Sequence, residues 1–162
     1  MRYNFYHAMK IFFALCFVCG SLAAAAADKP YNETADAKSD VQQSLAQATL
    51  ANTPVIVVFG ANWCGDCKML DHALKSGTSA ALLARDFKVV KINVGRFDKN
   101  LDIVKAYGVP LEKGIPAVVI LSTNNAVLYV TKEGELADAQ KMGDQGIYEF
   151  FKRVTAPYRN KQ

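Results

Sequence analysis

The chain has 162 residues, of which 51% are apolar and 21% are charged. This balance is typical of a globular protein and excludes wholesale disorder, and the length suits one domain with a short additional segment. The formal net charge of +4 is too small to indicate a nucleic-acid partner. Four cysteines are too few for a small scaffold held together by disulfides.

Residues 1–27 have the composition of a secretory signal peptide. Arg2 and Lys10 give a positive start, residues 11–18 are almost wholly apolar, and alanines fill positions 23–27. The pattern predicts an exported protein, with the periplasm as the expected compartment, that is soluble after cleavage.

Cleavage is predicted after Ala27 rather than after Ala25, because the polar stretch begins at Asp28. The alternative is an uncleaved membrane anchor. Residues 11–27 number 17, which is the lower limit for crossing a bilayer.

The remainder divides into a flexible lead-in over 28–38, one domain over 39–156 and a solvated tail over 157–162. Ser39 and Gln42 have the spacing of a capping box at the start of the first helix. The elements predicted from periodicity and turn signals are, in order, a helix over 39–52, a strand over 55–59, a helix over 68–74 with a short second piece over 79–84, a strand over 87–93, a helix over 98–106, a hairpin of strands over 117–121 and 126–131, a polar loop over 133–143 and a last helix capped by Asp144. This order predicts an α/β fold with a mixed sheet.

Cys64 and Cys67 lie where the strand over 55–59 gives way to a helix. The first turn of a helix presents unpaired N–H groups and a partial positive charge, which favour the thiolate of Cys64. Cys64 is therefore predicted to be the nucleophile and Cys67 the resolving thiol, with no cofactor beyond the disulfide that they form. Lys68 favours the Cys64 thiolate slightly, and Asp66 opposes it.

Two other uses of the cysteine pair stay open. One is a structural disulfide, although its loop is so small that it would stabilise the fold little. The other is a metal site, but Cys16 and Cys19 leave with the signal peptide, and His72 is rotated away from Cys67 on the same helix. We therefore predict a redox couple without a metal.

Residues 63–68, Trp-Cys-Gly-Asp-Cys-Lys, resemble the thioredoxin motif Trp-Cys-Gly-Pro-Cys-Lys. Residues 114–117, Gly-Ile-Pro-Ala, resemble the second motif of that family, and the strand over 55–59 matches its central strand. The resemblance covers about residues 39–156. It implies a thioredoxin fold, with a central mixed sheet of four to five strands flanked by helices, and a thiol–disulfide oxidoreductase that acts on protein thiols and disulfides.

The resemblance also implies how a substrate is held. It predicts a cis Ile115–Pro116 bond beside Cys64 and an exposed backbone at Ile115 that pairs with an extended substrate. The alternative for Pro116 is an ordinary proline at a strand edge. Trp63 either flanks the site as an apolar surface or packs in the core.

The sequence departs from the thioredoxin pattern at three places. Val58 stands where thioredoxin has a buried aspartate that aids proton transfer, so we expect that aid to be absent. Asp66 replaces the motif proline, and either partly stands in for the missing acid or serves only as an acid in the first helical turn. Residues 109–113 exceed the thioredoxin connection by three residues, and either narrow the choice of substrate or form a neutral extension.

Asp66 also bears on the direction of the reaction. A negative charge between the cysteines raises the thiol pKa and disfavours a strongly oxidising couple. We therefore predict a reductase of periplasmic disulfides that is supplied by a membrane electron donor, with an oxidase or an isomerase as alternatives. A hypothesis from another class is a thioredoxin-fold binding or chaperone module with an incidental disulfide.

Overall fold

The computed structural model describes residues 29–159, so the predicted signal peptide and residues 160–162 of the tail lie outside the described residues. The α-helices are α1 (Ala37–Ala51), α2 (Gly65–Lys75), α3 (Gly77–Ala84), α4 (Leu101–Ala106) and α5 (Ala139–Thr155). The strands are β1 (Val55–Gly60), β2 (Lys88–Asn93), β3 (Ala117–Leu121) and β4 (Val127–Val130), and short 3₁₀ helices cover Leu111–Lys113 and Ala156–Tyr158. Within residues 29–159 no helix is both long and apolar enough to cross a membrane.

The four strands form one mixed sheet in the order β2-β1-β3-β4. β1 runs parallel to β2 and antiparallel to β3, and β3 pairs antiparallel with β4. Every residue of β1 and β3 is buried, which explains why both strands read as continuous apolar runs rather than alternating ones. The predicted α/β fold with a mixed sheet is confirmed.

The helices cover the sheet and position the cysteine pair. α2, α3 and α5 pack on one another, and α1 packs against β1 and β2. The core includes the fully buried side chains of Phe59, Leu70 and Phe151. Since α2 starts just after the carboxyl end of β1, its first turn is held at the edge of a rigid sheet.

The start of the domain differs from the prediction. Asp36, not Ser39, caps α1, and its carboxylate accepts hydrogen bonds from the N–H groups of Lys38 and Ser39 at 3.1 Å each. The lead-in over 28–38 was predicted to be loose, but Tyr31 within it is only 1% exposed. A single aromatic residue in a polar stretch gives no periodic signal, so its burial was not foreseen.

The region before the last helix was also predicted incorrectly. α5 begins at Ala139, inside the stretch over 133–143 that was predicted to be a loop, and Gly143 at φ 60° interrupts its helical backbone. Leu136 and Ala139 are buried. Because Gly143 interrupts the helical period and the stretch is polar, its sequence does not indicate the first helical segment. Asp144, the predicted cap, lies just after the interruption inside α5.

Candidate active site

Cys64 is the N-cap residue of α2 and has an extended backbone. Its sulfur accepts a hydrogen bond from the backbone N–H of Cys67 at 3.2 Å and lies 3.5 Å from the carbonyl oxygen of Ile115. Hydrogen bonds from the thiol and the backbone N–H of Cys67 lower the pKa of Cys64 to about 7, although burial and the charge of Asp66 oppose the shift. An appreciable fraction of Cys64 is therefore thiolate, the reactive form, at neutral pH.

Cys67 has the opposite character, although it lies only one helical turn away. Its side chain is fully buried. The hydrogen bond that its thiol donates to Cys64 and its own burial both raise the pKa of Cys67, while the Tyr31 hydroxyl lowers it. The two cysteines thus differ in ionisation, and Cys64 is the one that ionises first.

Tyr31 reaches this pair from the segment before α1. Its hydroxyl lies beside the sulfur of Cys67, because both atoms fall within 3 Å of the position that a Cβ would take at Gly60. Asn62 holds its backbone in two places, because the Asn62 side chain accepts from the Tyr31 N–H at 3.0 Å and donates to the Tyr31 carbonyl at 2.8 Å. Sequence reasoning missed Tyr31, since only the folded chain brings position 31 next to position 67.

A buried carboxylate lies on the same helix. Asp71 follows Cys67 by one helical turn, is only 1% exposed, and forms ion pairs with Lys91 of β2 and with Lys75, the latter at 2.6 Å. Lys91 pairs in register with Val58. Although position 58 is not an acid, the core thus contains a buried acid, Asp71, that is paired with the strand next to Val58. The spacing of four residues from Cys67, which places Asp71 on the same helix face, was the available signal.

Asp66 has a structural contact as well as a charge. Its carboxylate accepts a hydrogen bond from the backbone N–H of Gln140 at 2.9 Å, which ties the first turn of α2 to the start of α5. Gly65 leaves room for the Gln140 side chain, because a Cβ at Gly65 would lie 2.6 Å from the Gln140 amide nitrogen. Lys68 is exposed, and none of the described hydrogen bonds or ion pairs joins its side chain to Cys64.

Trp63 lies at the surface beside the cysteine pair and is 49% exposed. Its indole N–H donates to the carbonyl oxygen of Gly95 at 2.7 Å, and its ring meets the ring of Phe97 edge-on at 5.8 Å. Arg96 lies over the indole at 5.9 Å. The loop between β2 and α4 therefore extends the apolar surface next to Cys64. The sequence pattern of this loop indicates only a connection between a strand and a helix, so its contact with Trp63 could not be predicted.

The second motif lies against the first, as its 3.5 Å approach to Cys64 shows. The Ile115–Pro116 peptide bond is cis. Ile115 is buried as a whole residue, and its backbone carbonyl oxygen lies against the Cys64 sulfur. The extra residues over 109–113 include a 3₁₀ helix, and Lys113 forms a 3.0 Å ion pair with Glu133. The extension is thus anchored to the loop before α5.

Residues 29–159 contain no group of three or more His, Cys, Asp or Glu side chains that could hold a metal ion. His72 is exposed, and its ring lies 3.4 Å from the Ser76 hydroxyl rather than near the cysteines.

Comparison with known proteins identifies the family. A family model described as thioredoxin-like matches residues 36–123. The thioredoxin of Pseudomonas aeruginosa is 36% identical over 94 residues, which are 56% of this chain and 74% of that protein. The chain belongs to the thioredoxin-like family. It is accordingly a thiol–disulfide oxidoreductase, and the comparisons leave the direction of its reaction open.

Solved structures agree with this assignment. A disulphide isomerase from Xylella fastidiosa Temecula1 is 51% identical to this thioredoxin-like protein, with a TM-score of 0.77. The similarity covers 80% of this chain and 99% of that one. The thioredoxin NaTrxh of Nicotiana alata has a TM-score of 0.50 at 20% identity, covers 74% of this chain and 85% of its own, and supports the fold alone.

Proposed function

We propose that this thioredoxin-like protein is exported and reduces or exchanges the disulfides of extracytoplasmic proteins. The thiolate of Cys64 attacks a substrate disulfide, and Cys67 then attacks the resulting mixed disulfide and releases the reduced substrate. The substrate would lie on Trp63 and against Ile115 and Pro116. The couple needs no bound cofactor, and a membrane dithiol protein would return its electrons.

The environment of Cys64 is the observation that carries this proposal. Its pKa, lowered to about 7, lies nearer to the value of about 7 typical of thioredoxin than to the value of about 3.5 of a strong oxidant such as DsbA. A less stabilised thiolate means a less stabilised dithiol, so the reduction potential is expected to be low. The similarity to a protein named a disulphide isomerase supports exchange as a second mode of the same chemistry.

Export is proposed from the composition of residues 1–27. The test is the mass of the protein recovered from an extracytoplasmic fraction. A chain that begins at Asp28 supports cleavage after Ala27. A full-length chain in the membrane fraction would instead support the uncleaved anchor.

The decisive measurement is the reduction potential of the Cys64–Cys67 couple in glutathione and dithiothreitol buffers. We expect a value near about −270 mV, as in thioredoxin. A value near about −120 mV, as in DsbA, would contradict the proposed direction. A disulfide that neither buffer reduces would favour the binding or chaperone module.

A further inference from the structure

We propose that Tyr31 is a third residue of the redox site, whose hydroxyl donates a hydrogen bond to the sulfur of Cys67 as that sulfur attacks the mixed disulfide. This inference rests on the proposed function and assigns a residue to its second step. It is carried by the placement of a buried phenol against the resolving cysteine.

The backbone of Tyr31 is held rigidly beside the cysteine motif. Asn62, immediately before Trp63, both accepts from and donates to the Tyr31 backbone, at 3.0 and 2.8 Å. The same Asn62 amide nitrogen donates to Glu33 at 3.0 Å. A segment outside the regular elements is thereby fixed to the turn that carries Cys64.

Gly60 shapes the space that the Tyr31 hydroxyl occupies. A Cβ at Gly60 would overlap the Tyr31 hydroxyl and would lie 2.9 Å from the sulfur of Cys67. The last residue of β1 thus lacks a side chain where the hydroxyl and the sulfur lie together. Such a close approach is a recognised reason for glycine in a strand.

The charges around the Tyr31 hydroxyl keep it protonated. Burial is the main reason that its pKa lies well above 10.0, and the neighbouring Cys67, Cys64 and Asp71, from α2 and its N-cap, raise that pKa further. Asp71 is itself paired with Lys75 and with Lys91 of β2. The phenol therefore acts as a hydrogen-bond donor and not as a base.

This donor matters most after the first step. While Cys64 is a thiolate, the thiol of Cys67 donates to it, which is the main reason that the pKa of Cys67 is raised. Once Cys64 is bound in a mixed disulfide, that negative charge is gone. The groups that then favour the Cys67 thiolate are the Ala61 backbone and the Tyr31 hydroxyl, both of which lower the pKa of Cys67.

The second step balances without a further reactant. The Cys67 thiol loses its proton to solvent, and its thiolate attacks the Cys64 sulfur of the mixed disulfide. The Cys64–Cys67 bond forms, the bond to the substrate sulfur breaks, and the substrate leaves as a thiolate that takes up a proton. Both cysteines are oxidised, and the substrate disulfide is reduced to two thiols.

The test separates the two steps with glutathione disulfide as the probe and the reduced, purified protein. Acid-quenched mass spectrometry follows the glutathione adduct of Cys64, and the fluorescence of Trp63, the one tryptophan of the chain, gives a continuous signal. Tyr31→Phe keeps the ring and removes the hydroxyl. Because the lost hydrogen bond would be made to an ionised sulfur, we expect its removal to slow the second step by about tenfold or more. The adduct should then accumulate, and the pH at which this step accelerates should rise.

The first step is measured alone in the Cys67→Ala background, where Tyr31→Phe should leave adduct formation close to its original rate. Tyr158→Phe is the matched control, because it removes a hydroxyl that donates to the Leu128 carbonyl oxygen at 2.8 Å on β4. It should slow neither step.

The outcomes distinguish this inference from the proposed function. If the unsubstituted protein forms the Cys64–Cys67 disulfide and Tyr31→Phe forms it as fast, the assignment of Tyr31 is wrong and the proposed function stands. An equal slowing of both steps, with a lower melting temperature, would mean that Tyr31 only stabilises the fold. If the unsubstituted protein forms neither adduct nor disulfide, the proposed function itself fails.

Discussion

Cys64 and Cys67 differ more than their separation by two residues suggests. Cys64 lies at the end of a helix, where backbone N–H groups and the Cys67 thiol lower its pKa to about 7. Cys67 lies one turn deeper in the core, where burial and its hydrogen bond to Cys64 raise its pKa. The same functional group is activated at one position and kept protonated at the other.

Each sulfur acts most strongly on the other, but their remaining neighbours come from different parts of the chain. The surroundings of Cys64 come from the cysteine motif and from Ile115, which the sequence motifs indicate. The surroundings of Cys67 come from Tyr31 and Gly60, which lie outside the motif residues. Substitutions should therefore affect the two steps of exchange separately.

The largest effect is expected from removing each sulfur in turn. Cys64→Ala should abolish disulfide reduction and form no adduct with a protein disulfide, because the remaining thiol of Cys67 is fully buried. Cys67→Ala should still attack but should accumulate mixed disulfides. Non-reducing electrophoresis and mass spectrometry of trapped partners measure both. Adducts in Cys64→Ala but not in Cys67→Ala would reverse the assigned order.

Gly60→Ala should disturb the buried cysteine selectively. The added methyl group would overlap the Tyr31 hydroxyl, so we expect a loss of about 1–3 kcal/mol in the free energy of unfolding, as for other overpacked sites. Chemical denaturation measures the loss.

The control for Gly60→Ala is a double-mutant cycle with Tyr31→Ala. The smaller side chain makes room for the methyl group, so the cost of Gly60→Ala should shrink in that background. Equal losses in both backgrounds would show that the strain lies elsewhere than at Tyr31.

The opposite pKa shifts predict a maximum in the stability of the reduced protein. The pKa of Cys64 falls from 9.0 to about 7 on folding. As the pH rises, the Cys64 thiol therefore loses its proton at a lower pH in the folded protein than in the unfolded chain. The free energy of unfolding should consequently rise between pH 7 and pH 9 by up to about 2 kcal/mol. The raised pKa of Cys67 has the opposite sign, because only the unfolded chain ionises above 9.0, so stability should fall at higher pH.

Urea unfolding of the reduced protein at a series of pH values tests this prediction, with Cys64→Ala as the control. The rise between pH 7 and pH 9 should disappear in that variant. A rise of the same size in Cys64→Ala would assign it to another group.

Much of the fold was predictable because its central strands are unambiguous. The runs over 55–59 and 117–121 are apolar at every position, as strands buried on both faces must be, and the structure places β1 and β3 there. The first half of α5 was not predictable, since Gly143 breaks the helical period. The α1 cap was assigned to Ser39 rather than Asp36 because both residue types serve equally well as caps.

The candidate site divides in the same way. Cys64 and Cys67 were identified by their place between a strand and a helix, a local pattern that a sequence displays. Tyr31 is brought to Cys67 only by the folded chain, and no local pattern records a contact across that distance. The helical spacing from Cys67 predicts the helix face on which Asp71 lies. Its burial beside Lys91 is not predictable in this way, because an acid in an amphipathic helix is ordinarily exposed.

The smallest expected effect is at Asp66, whose charge shifts the pKa of Cys64 and is not among the groups that shift the pKa of Cys67. Asp66→Asn removes a charge that raises the pKa of Cys64 but keeps an oxygen that can accept from the Gln140 N–H. The pKa of Cys64 should fall below about 7 by less than about one unit, a typical size for a partly exposed charge. Because a more stable thiolate stabilises the dithiol, the reduction potential should become less negative.

Thiolate absorbance against pH gives the pKa, and glutathione buffers give the potential. Asp102→Asn is the matched control, since Asp102 pairs with Lys38 at 2.7 Å and is not among the groups that shift the pKa of either cysteine. If Asp66→Asn raised the pKa of Cys64, the hydrogen bond from the Gln140 N–H to Asp66 would matter more to that pKa than the negative charge of Asp66 does. Asp66 would then act by holding the first turn of α2 in place rather than by opposing the thiolate.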